Sequence, residues 1–140
     1  MDSPIISNPS TSKTVLCIDD DHGVLEYQKA LLERRGYTVL AAASARQGLE
    51  IATTCPVAAV IVDYHMPEMN GHEVAVEIKR VKPSTPIVMV SSDDQLPDHV
   101  LKVVDGFIPK HEAPSRLLPL LTRICDGRFA GFPEKARITA

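Results

Sequence analysis

The sequence predicts an α/β protein, a doubly wound sandwich whose mostly parallel five-stranded sheet carries helices on both faces. Three observations predict it. Short apolar runs, TVLCI (14–18), YTVLAA (37–42), VAAVIV (57–62), PIVMV (86–90) and GFI (106–108), alternate with stretches of helical spacing, the signature of repeated strand and helix units around a parallel sheet. VAAVIV and PIVMV are apolar throughout, without the alternation of a half-wet strand, so they belong in the centre of the sheet. Two of the runs end abruptly in carboxylates, at Asp19, Asp20 and Asp21 and again at Asp63. In such folds the ligand site lies outside the carboxyl ends of the strands, where the strand order reverses.

The elements follow in order. Residues 1–12, rich in Ser, Pro, Thr and Asn, are expected to form a flexible N-terminal segment, and residues 13–126 the folded domain. After the first strand, Val24, Tyr27 and Leu31, with Leu25 and Leu32 beside them, mark the apolar face of a helix; Lys29, Glu33, Arg34 and Arg35 suit solvent. Gly36 can end that helix in a left-handed conformation. Ser44 and Gln47 match a capping box opening the second helix. The third begins near Gly71 and runs through HEVAVEIKR. The fourth is a short segment within DQLPDHVLKVV, where Pro97 is tolerable only in the first turn. The last is APSRLLPLLTRIC, which Pro119 would be expected to weaken. Residues 127–140 are read as a short C-terminal tail, too short for a DNA-binding output domain; a piece of a longer protein would read the same way.

Composition excludes several classes. At 140 residues the chain holds one domain with a full core. Its formal net charge of -3 gives no reason to expect direct nucleic-acid binding or attraction to an anionic membrane. No apolar stretch approaches the roughly 18 residues of a spanning helix, and the first residues lack the basic start and long apolar core of a signal peptide. No membrane insertion and a cytoplasmic location are the expectation. Cys17, Cys55 and Cys125 lie far apart without metal-ligand spacing and read as buried or incidental thiols. The histidines at 22, 65, 72, 99 and 111 are scattered, and surface or loop positions are expected for each.

The acids carry the chemistry. An isolated Asp at a strand end is ordinary, because Asp caps the following helix. Two strand ends turning acidic together bring several carboxylates to one place, where protons or a cation must compensate them. A hard divalent cation suits, and magnesium takes one or two carboxylates plus waters while leaving room for phosphate oxygens. The same acids argue against a nucleotide or flavin site, which needs glycine, hydroxyls and free backbone amides after the first strand.

With VLCIDDD after the first strand, VIVDYHMPEMNG after the third, PIVMVSSDD after the fourth and GFIPK at the fifth, residues 14 to about 125 resemble a response regulator receiver domain of two-component signalling, of the single-domain type. The resemblance implies a flavodoxin-like sheet of order 2-1-3-4-5. It implies that Asp63 is the phosphoacceptor, and that Asp19 and Asp20 hold Mg2+ together with Asp63 and the backbone carbonyl of His65, Asp20 directly and Asp19 mainly through water. Ser91 would bond the phosphoryl group, Lys110 would neutralise it, and Phe107 would switch between outward and inward packing. The implied donor is a phosphohistidine on a sensor histidine kinase or a histidine phosphotransfer protein; an unidentified downstream protein would read the switch. The domain would act as a monomer or weak dimer, catalysing its own phosphorylation and dephosphorylation while serving mainly as a signalling switch.

The chain departs from the family pattern in four places. Most receivers follow the lysine with a proline in a cis bond, whereas here Pro109 precedes Lys110 and His111 follows it. A cis bond before a non-proline residue costs about 2.5 to 4 kcal/mol, so the loop either bears that cost or reaches the site another way. The stretch from Ser91 to Phe107 is a few residues short, which predicts a truncated or shifted fourth helix. Ser92 stands where Ala or Gly is usual, and His65 lies two residues past the acceptor, where its side chain can affect attack by water. Two rivals stand beside this reading. One is a receiver-like interaction module independent of phosphorylation. The other is a small magnesium-dependent phosphohydrolase, which would lack the second acid expected at the His65 position.

Overall fold

In the computed structural model, which describes residues 13–125, each apolar run becomes a strand. The strands are β1 (Thr14–Ile18), β2 (Thr38–Ala42), β3 (Ala59–Asp63), β4 (Ile87–Ser91) and β5 (Gly106–Pro109). All neighbours pair in parallel, in the order β2-β1-β3-β4-β5. The helices between them are α1 (His22–Glu33), α2 (Ala45–Thr54), α3 (Gly71–Val81), α4 (Asp98–Leu101) and α5 (Ala113–Cys125), with a 3-10 turn at Lys110–Glu112. No helix of the described residues is long and apolar enough to cross a membrane. The segments expected at 1–12 and 127–140 lie outside the described residues.

Strand pleating sorts the core into two layers. Val15, Cys17, Ile61, Val88, Val90 and Ile108 pack with Leu25 and Leu32 of α1 and Leu117, Leu121 and Ile124 of α5. The alternate residues, among them Leu16, Ile18, Val60, Val62, Met89 and Phe107, pack with α2, α3 and α4 through Ala52, Val74, Ile78 and Val100. Both faces of the central strands are therefore covered, which is why their runs carry no polar alternation. Asp19, Asp63 and Lys110 continue the register of the first layer, and Ser91 that of the second.

β3 and β4 each begin and end later than the apolar runs suggest, at Ala59 and Ile87 and on Asp63 and Ser91. Asp63 lies opposite Val90, and Ser91 opposite Pro109. The polar residues are thus inside the ladder, held by the rigid part of the sheet. β5 is at the sheet edge, where the missing amide hydrogen of Pro109 is tolerated.

Local chemistry sets the helix ends. The Asp21 carboxylate accepts from the N–H groups of Gly23 and Val24 at 2.8 and 3.3 Å, opening α1, and Gly36 beyond its end has φ of 91°, the left-handed conformation that glycine adopts without strain. Ser44 accepts from the Gln47 N–H, but the Gln47 side chain accepts from Ala43 rather than Ser44, one residue off a strict capping box. The complete box is at α3, between Asn70 and Glu73. α4 is only 4 residues long, in keeping with the shortened stretch after Ser91. α5 runs through Pro119 without interruption. Pro119 lies on the exposed face, where water can satisfy the carbonyl that loses its intrahelical partner.

Candidate functional site

The carboxyl ends of β1, β3, β4 and β5 bring the singled-out residues together. Asp19 follows β1 directly, and its N–H continues the ladder by donating to the Ala42 carbonyl at 3.1 Å. Its Oδ1 accepts from the Asp21 N–H at 2.9 Å. Asp19, Asp63 and Ser91 are buried, whereas Asp20 is exposed at the rim. Asp19, Asp20 and Asp63 each offer a carboxylate oxygen to one spot, all within 4.8 Å of one another.

Lys110 joins the buried pair. Its Nζ lies 3.1 Å from Asp19 Oδ2 and 3.2 Å from Asp63 Oδ1. The described residues contain no cis peptide bond, so the lysine reaches the acids from the 3-10 turn at the end of β5 by the second of the two routes. Those two carboxylate oxygens are buried, and the Lys110 ammonium is the group that compensates them.

The electrostatics follow from burial. Asp63 is pushed up to about 6, first by burial and then by the Asp19 charge, with Lys110 and the His65 N–H pulling the other way. Asp19 is raised for the same first reason, against its bond from Asp21 and the Lys110 charge. Burial works against the Lys110 ammonium, but Asp63 and Asp19 outweigh it and its pKa is raised. Two buried carboxylates facing one ammonium leave negative charge unbalanced, with Asp20 alongside. An all-oxygen donor set with such a surplus fits a hard divalent cation.

Ser91 Oγ accepts from the Asp93 N–H at 3.0 Å, which leaves its own hydrogen for another acceptor. His65 Nε2 bonds Asp93 Oδ2 at 2.7 Å, spanning the loops after β3 and β4. Phe107 packs inward, 5% exposed, opposite Met89 in the ladder and on the layer whose register Ser91 continues. An open groove of about 430 Å³, lined by Asp20, Tyr64, His65, Met66, Pro67 and Asn70, approaches the acids from the β3–α3 side.

Asp93 has partners that sequence reasoning did not assign. The signal was the acidic end of a third strand, SSDD, read only as part of a motif. Of the histidines, His72 departs from expectation: it is half-buried on α3 with its ring edge-on to His99 at 5.0 Å between centroids. Cys17 is a core thiol, pushed up to about 12 by burial and then by Asp19.

The β3–α3 loop is held by close packing. The Gly71 N–H donates to the Tyr64 carbonyl at 2.8 Å, and a Cβ at Gly71 would sit 2.4 Å from the Asp63 carbonyl oxygen and 2.9 Å from Tyr64 Cα. Backbone on both sides leaves nothing to swing away. Gly71→Ala is expected to cost about 1–3 kcal/mol, seen as a lower urea midpoint at unchanged m-value; a wild-type midpoint would show that the loop yields freely.

Comparison with known proteins agrees with this geometry. The family model described as "Response regulator receiver domain" matches residues 15–122. The transcriptional regulatory protein GlrR of Escherichia coli K12 is 34% identical over 92 residues, covering 66% of this chain and 21% of GlrR. This chain thus spans about a fifth of that relative. Among solved structures, the CheY-like receiver domain protein of Methanospirillum hungatei superposes with TM-score 0.76 at 30% identity, covering 81% of this chain and 94% of the other. The response regulator protein TrrA of Thermotoga maritima, solved in complex with Mg2+-BeF, gives TM-score 0.76 at 25% identity over 80% of this chain and 98% of its own.

Proposed function

We propose, on the premise that this chain belongs to the response regulator receiver domain family, that Asp63 accepts a phosphoryl group from a phosphohistidine and that the resulting charge switches a protein-binding face. The observation that carries the reading is the single ammonium of Lys110 shared by two buried carboxylates at 3.1 and 3.2 Å. A phosphorylation-independent module would not need that cation there, nor the three converging acids. A phosphohydrolase is disfavoured because the residue two past Asp63 is His65, whose side chain is already bonded to Asp93.

In the reaction an Asp63 carboxylate oxygen forms the new O–P bond as the P–N bond to the donor histidine breaks, that nitrogen keeping the electron pair. The work of the site is positioning and charge neutralisation. Lys110 is held where the equatorial phosphoryl oxygens arrive, and Ser91 has its hydrogen free to donate to one of them. Asp19, Asp20, Asp63 and the His65 carbonyl would hold Mg2+, which supplies further positive charge to those oxygens. An acyl phosphate adds acceptor oxygens that draw Ser91 inward, and Phe107, on the same layer, then repacks and alters the face formed by α4, β5 and α5.

The unit concerned is residues 13–126. Its donor is a sensor histidine kinase or histidine phosphotransfer protein; its reader is a downstream protein, engaged by a monomer or weak dimer without direct nucleic-acid contact. The cytoplasm is the expected setting; no helix of the described residues is long and apolar enough to cross a membrane.

The test is an intact-mass time course with phosphoramidate, with and without Mg2+. Gain of one phosphoryl group only with Mg2+ is expected; no gain in any condition would sink the reading. His65→Ala is expected to shorten the lifetime of the phosphorylated form by a few fold, because it removes a side chain that spans the mouth of the site. An unchanged hydrolysis rate would take His65 out of consideration.

A further inference from the structure

The loop between β4 and α4 is tied to both of its neighbours through consecutive residues. Asp93 bonds His65 of the β3–α3 loop at 2.7 Å, and its own N–H donates to Ser91 at 3.0 Å. Asp94 lies 3.7 Å from Nδ1 of His111, in the 3-10 turn that carries Lys110. The other ring nitrogen of His111 faces Glu112 at 3.5 Å, and Glu112 is paired with Arg116 of α5. Lys110 is thus the first residue of a turn whose next two side chains face partners, His111 lying beside Asp94 in the loop after Ser91 and Glu112 pairing with Arg116 of α5.

Such contacts matter because Lys110 must meet two buried oxygens at once, and a three-residue turn has little rigidity of its own. We propose that Asp93 and Asp94 are positioning residues: Asp94 acts through His111 to aim Lys110, and Asp93 acts through His65 to fix the loop whose carbonyl would complete the cation site. The inference rests on the phosphoacceptor reading for its rate readout, but not for its cation-affinity readout. Both pairs are exposed, with side chains half or more accessible, so each effect is a modest factor rather than a collapse.

The test compares Asp94→Asn, Asp94→Glu, His111→Gln, the Asp94→Asn/His111→Gln double variant and Asp93→Asn. It measures the rate of phosphoryl gain from phosphoramidate and, separately, Mg2+ affinity by calorimetry. Asp94→Asn and His111→Gln are each expected to slow gain by about two- to five-fold. The double variant should be no slower than either, and Asp94→Glu should restore most of the rate. Asp93→Asn is expected to weaken Mg2+ binding by about the same factor. Wild-type rates and affinities in the single variants would overturn the proposal, as would losses that multiply in the double variant. A wild type that gains no phosphoryl group would sink the phosphoacceptor reading, while the Mg2+ affinity of Asp93→Asn would still decide the brace.

Discussion

Asp63→Asn is expected to gain no phosphoryl group under any condition and, without divalent cations at pH 7.5, to unfold at a higher temperature than wild type. The first half follows from the loss of the nucleophilic oxygen, since an amide does not attack phosphorus. The second follows from linkage. Asp63 has a pKa of about 6 when folded against an ordinary value of 3.8, so between these values the folded chain holds a proton that the unfolded chain has lost. Stability therefore falls as pH rises through that window, and the full penalty is present above it. One pKa unit is about 1.4 kcal/mol, which sets an upper limit of about 3 kcal/mol; water at the open mouth reduces the effect to about 1–2 kcal/mol. Asparagine removes the charge and with it the penalty. Thermal scans from pH 4 to 8 check the sign: the advantage of Asp63→Asn should grow with pH and vanish near pH 4. Millimolar Mg2+ should raise the wild-type Tm more than that of the variant, because a ligand of the folded state stabilises in proportion to its binding. A variant less stable than wild type at pH 7.5 would show that the carboxylate is not under strain.

Lys110→Ala is expected to slow phosphoryl gain by about 100- to 1000-fold, the usual cost of removing one group that stabilises the charge of the transition state. It also acts on the resting protein. Lys110 has a raised pKa when folded, so its pairing contributes stability that is present below its unfolded pKa and lost only as pH rises through the folded one. At pH 7.5 the deletion leaves Asp19 and Asp63 facing each other, buried and uncompensated. Breaking a fully buried pair costs about 3–5 kcal/mol; with 29% of the lysine side chain exposed, about 2 kcal/mol is expected here. The loss should shrink as pH falls through the window in which the two acids take up protons. Mass spectrometry measures the first effect and thermal scans against pH the second. A variant that phosphorylates at the wild-type rate would remove Lys110 from the site.

The same residues explain how much was legible beforehand. The strands were readable because burial on both faces demands unbroken apolar runs, and VAAVIV and PIVMV supply them. Their ends were less so: Asp63 and Ser91 look like loop residues until a neighbouring strand pairs with them. The acids stood out because carboxylates at two strand ends of one sheet must share an edge. The reach of Lys110 could not be read, since it depends on a turn whose direction is set by tertiary packing. Nor could the pairing of Asp93 with His65, 28 residues away, because loop-to-loop side-chain contacts leave no periodic trace. The Asn70 and Glu73 capping box was a readable signal, the N-x-x-E pattern ahead of an apolar helix.

The pleat that sorts the core also partitions the site. Asp19, Asp63 and Lys110 follow the register of the layer under α1 and α5, while Ser91 and Phe107 belong with the layer under α2, α3 and α4. The acids and their ammonium thus grow out of one core layer and the Ser91 hydroxyl and Phe107 ring out of the other, and the two sets meet at the carboxyl edge of the sheet. A disturbance of packing in either layer is therefore passed to the other set through that shared edge.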